Sequence, residues 1–90
     1  MEEFHAIVSG RVQMVTYRAF VEKHARQLAL TGFVRNLENG NVEVVAQGEK
    51  EKLEELLMHL RKGSLFAHVE DVQVDWREPA GQCDGFEIIY

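Results

Sequence analysis

The sequence has one cysteine, Cys83, and one proline, Pro79. A single thiol excludes an internal disulfide and any Cys-rich metal centre. It also suits a reducing compartment, so the cytoplasm is the expected location. No Ser- or Pro-rich stretch reads as a linker, and no internal repeat or low-complexity segment appears, so one compact unit is expected. No apolar run approaches the length of a membrane span. The start, Met1-Glu2-Glu3-Phe4, is acidic and lacks the basic and apolar regions of a signal peptide. An excess of positive charge is missing too: the net charge is −5, which speaks against a generic nucleic-acid binder. What the chain does have is 46% hydrophobic residues in 90 positions. That is enough for one small core, although a domain this short buries only about 60% of its unfolded surface.

Charge is unevenly spread. Residues 1–40 hold five basic side chains (Arg11, Arg18, Lys23, Arg26, Arg35) against four acidic ones, whereas residues 41–90 hold five against eleven. An anionic ligand is better received by the first half.

Phe4 to Ser9 reads as a strand with apolar residues on both faces, Phe4, Ala6 and Val8 on one and Ile7 on the other. That is the pattern of a central strand buried on both sides. Gly10 to Thr16 is irregular. A helix is expected from about Tyr17 to Leu30, with Tyr17, Val21, His24/Ala25 and Leu28 on one stripe, and with Gly32 as its left-handed cap. Phe33–Leu37 and Val42–Gln47 flank Glu38-Asn39-Gly40-Asn41, a strong hairpin signal. Glu49 to Lys62 is a second helix, with Leu53, Leu56, Leu57 and Leu60 at helical spacing, glutamates early and Arg61 and Lys62 late. Gly63 stops it. Val69–Trp76 and Gly85–Tyr90 alternate as strands.

The order β-α-β-β-α-β plus a short C-terminal strand predicts an α+β, ferredoxin-like split βαβ sandwich, with two helices on one face of a mostly antiparallel sheet. A strand-helix-strand crossover leaves its two strands parallel. The ends of the first two strands then share one sheet edge with the start of the first helix. Three features converge there: the loop Gly10–Thr16, Arg18 in the first helical turn, and Asn36. Loop and helix-start N–H groups attract anions. A cation at a helix start is opposed by the helix dipole unless an anion binds beside it. Arginine can grip phosphate through two parallel hydrogen bonds. Asn36 offers a neutral acceptor and donors able to hold a water in line with phosphorus. Each feature alone has an ordinary explanation: Arg18 as a solvated surface residue, Asn36 as a strand end feeding a turn, and Gly-Arg-Val-Gln as a plain loop. The inference rests on their combination.

Gly10-Arg11-Val12-Gln13-Met14-Val15-Thr16-Tyr17-Arg18 resembles the acylphosphatase signature G-x-V-Q-G-V-x-[FY]-R. Gly32-Phe33-Val34-Arg35-Asn36 with Asn39-Gly40-Asn41-Val42-Glu43 resembles the second signature, G-[FWY]-V-x-N-x-x-[DN]-G-x-V-E. The tail, from Val69 to Gly85-Phe86-Glu87-Ile88, fits as well, so the resemblance covers nearly the whole chain. It implies hydrolysis of a carboxylic-phosphoric anhydride, without metal or cofactor. Arg18 would bind the phosphoryl group, Asn36 would orient water, and the loop Gly10, Val12, Gln13, Met14 and Val15 would cradle the phosphoryl oxygens. Met14 departs from the signature, which has glycine there. A positive φ at that position would strain the loop by about 1–3 kcal/mol, yet the backbone N–H survives the substitution, and activity is expected to be retained.

The other polar residues are expected to be structural. His24 is read as a core-edge packing residue. His5 and His68 could approach across strands, but no metal site is expected. Glu49, Glu51, Glu54 and Glu55 form a solvated helix face. Cys83 lacks an evident base for a nucleophilic role. Phe4, Phe33, Phe86 and Trp76 are expected to pack the core or sheet, and the basic-aromatic signature of an RNA-recognition domain is absent. A monomer acting on a small-molecule acyl phosphate, without nucleic acid or membrane, is the expectation. The alternative is a non-catalytic phosphate- or carboxylate-binding module using the same loop. Similar domains also occur inside larger hydrogenase-maturation carbamoyltransferases. A start at Met1 and an end soon after the last strand favour an independent protein.

Overall fold

The computed structural model describes residues 1–13 and 16–90. Seven elements follow in the order β1 (Glu2–Arg11), α1 (Tyr17–Gln27), β2 (Thr31–Asn36), β3 (Val42–Gly48), α2 (Lys50–Lys62), β4 (His68–Arg77) and β5 (Phe86–Ile89). The strands form one sheet in the spatial order β4-β1-β3-β2-β5. All neighbours are antiparallel except β2 and β5, which run parallel. The expected element order and helix-covered sheet are therefore observed.

Alternation decides which side of the sheet is dry. Phe4, Ala6 and Val8 of β1, Val34 of β2, and Val42, Val44 and Ala46 of β3 are fully buried. They pack with Tyr17, Val21 and Ala25 of α1 and with Leu53, Leu56, Leu57 and Leu60 of α2 in one cluster. Full burial of a leucine contributes about 1.5–3 kcal/mol, so these four leucines alone fix α2 to the sheet. The expectation of burial on both faces of β1 is corrected. β1 is central, between β4 and β3, but both helices lie on one side, so Ile7 is only half-buried. His5 and His68 do not meet either. His5 stands opposite Asp75, while His68 stands opposite Arg11 at the far end of β1.

The uncovered face is organised by charge and amide groups. Glu43 accepts from His5 Nε2 at 2.7 Å and from Arg35 Nε at 2.5 Å. Burial works to raise the Glu43 pKa, but hydrogen bonds and charge from His5 and Arg35 outweigh it and hold the carboxyl below its usual range. Further along, the buried Gln47 side chain donates to Glu3 Oε1 and to the Gly81 carbonyl, each at 2.7 Å, and accepts from the Cys83 N–H at 2.9 Å. Glu3 in turn pairs with Arg77. This network ties the segment between β4 and β5 to the uncovered face, where it lines a cavity with Phe33 and Val45.

The end of α1 also differs from expectation. The helix stops at Gln27, and the left-handed residue is Ala29 at φ 57°, not Gly32. The Ala29 N–H bonds the Arg26 carbonyl and the Leu30 N–H bonds the Ala25 carbonyl, the paired closure of a Schellman motif. Gly32 lies inside β2, where an added Cβ would sit 1.9 Å from the Val45 carbonyl oxygen. Glycine is thus required for strand contact, and an alanine is left to carry the unfavourable cap. Ala29→Gly should raise stability by about 1 kcal/mol and Tm by about 4–8 °C, as read by thermal unfolding. Gly32→Ala should do the opposite.

Between the helices, His24 and His59 stack with ring centroids 3.8 Å apart and planes inclined by 18°, and Phe20 meets both edge-on. Burial, then the charges of His59, Lys23 and Lys62, push the His24 pKa below its ordinary 6.5. The folded state therefore favours neutral His24. Its contribution is present above about pH 6.5 and is lost as pH falls below that value. Denaturant midpoints should drop between about pH 7.5 and about pH 5.5, and the drop should shrink in His59→Gln. Glu43, depressed from 4.5, loses its contribution only at lower pH.

Candidate active site

β3 runs antiparallel to both β1 and β2, so those two strands point the same way and end at one edge of the sheet. The loop that leaves β1 begins there. Gly10 is still inside β1, at a register shift against β4. Its φ is +120°, and a Cβ would fall 2.1 Å from the His68 carbonyl oxygen. Gly10, expected to open the irregular segment, instead continues β1 and permits a close approach of two backbones. Val12 is buried in the core and anchors the loop from below. Gln13 Nε2 donates to the Leu37 carbonyl at 2.7 Å and to the Asn41 carbonyl at 2.8 Å. Both amide hydrogens are thereby committed to the β2–β3 turn, which the Asn41 carbonyl also closes by accepting the Leu37 N–H at 2.8 Å. Met14 and Val15, expected in the cradle, lie outside the described residues.

Thr16 precedes α1 in the left-handed region, at φ 59° and ψ 24°, a conformation that costs a non-glycine residue about 1–3 kcal/mol and clusters at functional sites. Tyr17 then turns inward. It is fully buried, and its hydroxyl donates to the Leu60 carbonyl at 2.8 Å. Burial pushes that hydroxyl far above its ordinary pKa, so it stays protonated. With Tyr17 locked to the end of α2, the next residue, Arg18, is carried round toward β5. Its Nη1 reaches the Ile89 carbonyl at 3.5 Å, and its guanidinium lies 4.8 Å from the centre of the Tyr90 ring. No acidic residue stands in the first turn of α1, and among the described residues no carboxylate pairs with Arg18. A guanidinium near a helix start, held by neutral groups only, is available to an anion.

Asn36 closes β2 opposite Val42, on the helix-facing side shared with Val34. Its Oδ1 is buried and, among the described residues, has no hydrogen-bond partner. An unsatisfied buried acceptor costs about 1–3 kcal/mol, so such an atom points to a use that requires it. A cavity of about 330 Å³ at the start of α1 is lined by Gln13, Thr16, Tyr17, Arg18, Ala19, Ile88 and Tyr90; Asn36 is not among these lining residues. Arg18 and Gln13 thus share one cavity, and Gln13 ties its loop to the residue after Asn36. Ile88 and Tyr90 were not singled out for the site by the sequence. The alternation Phe86, Ile88, Tyr90 was the available signal, because it puts all three on the side of α1.

The architecture has close relatives. The acylphosphatase family model matches residues 4–88. An acylphosphatase of Thermus thermophilus is 51% identical over 88 residues, covering 98% of this chain and 99% of the relative. The crystal structure of acylphosphatase from Bacillus subtilis superposes with a TM-score of 0.97 at 34% identity, covering 100% of both chains. The structure of an acylphosphatase from Coxiella burnetii gives 0.91 at 37% identity, covering 98% of this chain and 93% of the other. A shared sheet order alone would leave the function open, but identity of this extent over the whole chain does not: the chain belongs to the acylphosphatase family of hydrolases.

Proposed function

We propose that the chain hydrolyses acyl phosphates through Arg18 and Asn36, without a general base of its own. What supports this reading is that, among the described residues, the Arg18 guanidinium has no carboxylate partner and the buried Asn36 Oδ1 has no hydrogen-bond partner, on elements that meet at one sheet edge. Arg18 and the N–H groups at the start of α1 and its preceding loop take the equatorial oxygens of the phosphoryl group. Asn36 Oδ1 accepts a hydrogen from water and turns the water's lone pair toward phosphorus. Water attacks, the P–O bond to the acyl group breaks, and the bonding pair leaves on the carboxylate. The water proton passes to a phosphoryl oxygen. Among the described residues lining the cavity, none is Asp, Glu or His, and Tyr17 is engaged with Leu60. This suits a loose transition state, which needs charge stabilisation and alignment more than a strong base. The carboxylate leaves without protonation.

We further place the protein in the cytoplasm as a monomer that acts on a small molecule, with neither nucleic acid nor a membrane as partner. The net charge of −5 and the single cysteine support this, and among the described residues no helix is long and apolar enough to cross a membrane. A binding-only role would give the buried Asn36 acceptor no task, so hydrolysis is the reading adopted.

The test is hydrolysis of benzoyl phosphate with a chelator present. Arg18→Ala should lower kcat/KM by about 100-fold or more and weaken inhibition by inorganic phosphate. Asn36→Ala should remove about 100- to 1,000-fold of turnover while leaving phosphate inhibition and folding in place. Near-normal turnover in folded Asn36→Ala would defeat its role. Gln13→Ala should cost about tenfold in kcat through loss of alignment.

A further inference from the structure

An acyl phosphate has two ends, and the groups above account for one. Resting on the hydrolytic reading, we propose that Tyr90, with Ile88, forms the surface that receives the acyl group and makes aromatic acyl phosphates the preferred class. The cavity that contains Arg18 has a second wall formed by Ala19, Ile88 and Tyr90. That wall offers no charged side chain to recognise a polar acyl chain. Tyr90 presents the largest apolar surface in it. The guanidinium of Arg18 lies over the ring at 4.8 Å, yet the residue is 94% exposed. Part of the aromatic surface is therefore free beside the group assigned to the phosphoryl oxygens.

The span fits the chemistry. In an aroyl phosphate the ring is joined to phosphorus through only a carbonyl carbon and one bridging oxygen. A phosphoryl group on Arg18 puts an attached ring within reach of the aromatic side chain that Arg18 itself contacts. Stacking of two aromatic rings adds to what the buried area alone contributes. A methyl group in the same place gains far less. Ile88, half-buried, two residues before Tyr90 in the alternation and lining the same cavity, adds apolar surface.

Tyr90 could also act only by propping Arg18, and the two roles separate by substrate. Propping touches the phosphoryl end, which every substrate shares, whereas an acyl platform discriminates among acyl groups. The measurement is kcat/KM for benzoyl phosphate divided by that for acetyl phosphate. Tyr90→Ala should lower this ratio by about fivefold, and Tyr90→Phe should keep it. An equal fall for both substrates, or no fall for either, overturns the proposal. A binding arm uses phenacylphosphonate and acetonylphosphonate, which cannot lose phosphate by P–O cleavage. Their Kd ratio should favour the aromatic compound and lose that preference in Tyr90→Ala. If neither acyl phosphate is hydrolysed but this preference is present and Tyr90-dependent, the hydrolytic reading fails and the platform stands. If no such preference exists, the platform is overturned whatever the turnover.

Discussion

The position of β3 between β1 and β2 is the constraint on which the site depends. Because it runs against both, two strands separated in sequence by a helix must end together. Everything chemical follows from that edge. The loop after Arg11, the first turn of α1 and the end of β2 at Asn36 are brought to one edge of the sheet. Gln13 then converts proximity into registration. Its two amide hydrogens bond two carbonyls of the turn that follows Asn36, so Gln13 is tied to the end of β2. Gly10 and Gly32 serve the same end less visibly, by letting backbones approach at separations that a Cβ would forbid.

The site also shows how a protein keeps a cation where a helix resists one. The dipole at the start of α1 disfavours Arg18, and no carboxylate in its first turn compensates. The guanidinium is instead held by an aromatic face and a backbone carbonyl. These partners steady the group without neutralising it. A carboxylate in the same position would have occupied the donors that a phosphoryl group needs. The Tyr17 hydroxyl, anchored on Leu60, fixes the helix start at the same time, so the arginine is aimed by packing more than by charge.

Much of this was legible in the sequence, and the reasons differ by residue. The shared edge of the β1 and β2 ends, where Arg18 and Asn36 are expected to converge, follows from element order alone, since crossover strands are parallel wherever an intervening strand is placed. The four leucines of α2 and the alternation of Phe4, Ala6 and Val8 announce their buried faces through period. What was not legible depends on contacts between distant segments. Nothing local in Gln13 says that its hydrogens go to Leu37 and Asn41, and nothing near Arg18 names Tyr90. The stacking of His24 on His59 requires the two helices to be placed first. The sequence points to Gly32 as the cap, instead of Ala29, because glycine is the usual cap residue, whereas here a backbone approach to Val45 had the stronger need for it.

The network around Gln47 has a mechanical consequence. β5 lies at the edge of the sheet opposite β4, so residues 78–85 must cross the uncovered face to reach it, and Gln47 clips that span at Gly81 and Cys83. β5 then delivers the Ile89 carbonyl and the Tyr90 ring to Arg18. The guanidinium on one side of the sheet is therefore referenced to a buried amide on the other, much as a pointer is zeroed by a fixed pin. The length of the crossing is a calibrated dimension: a residue gained or lost in it would reset the pointer while leaving every residue around Arg18 unchanged.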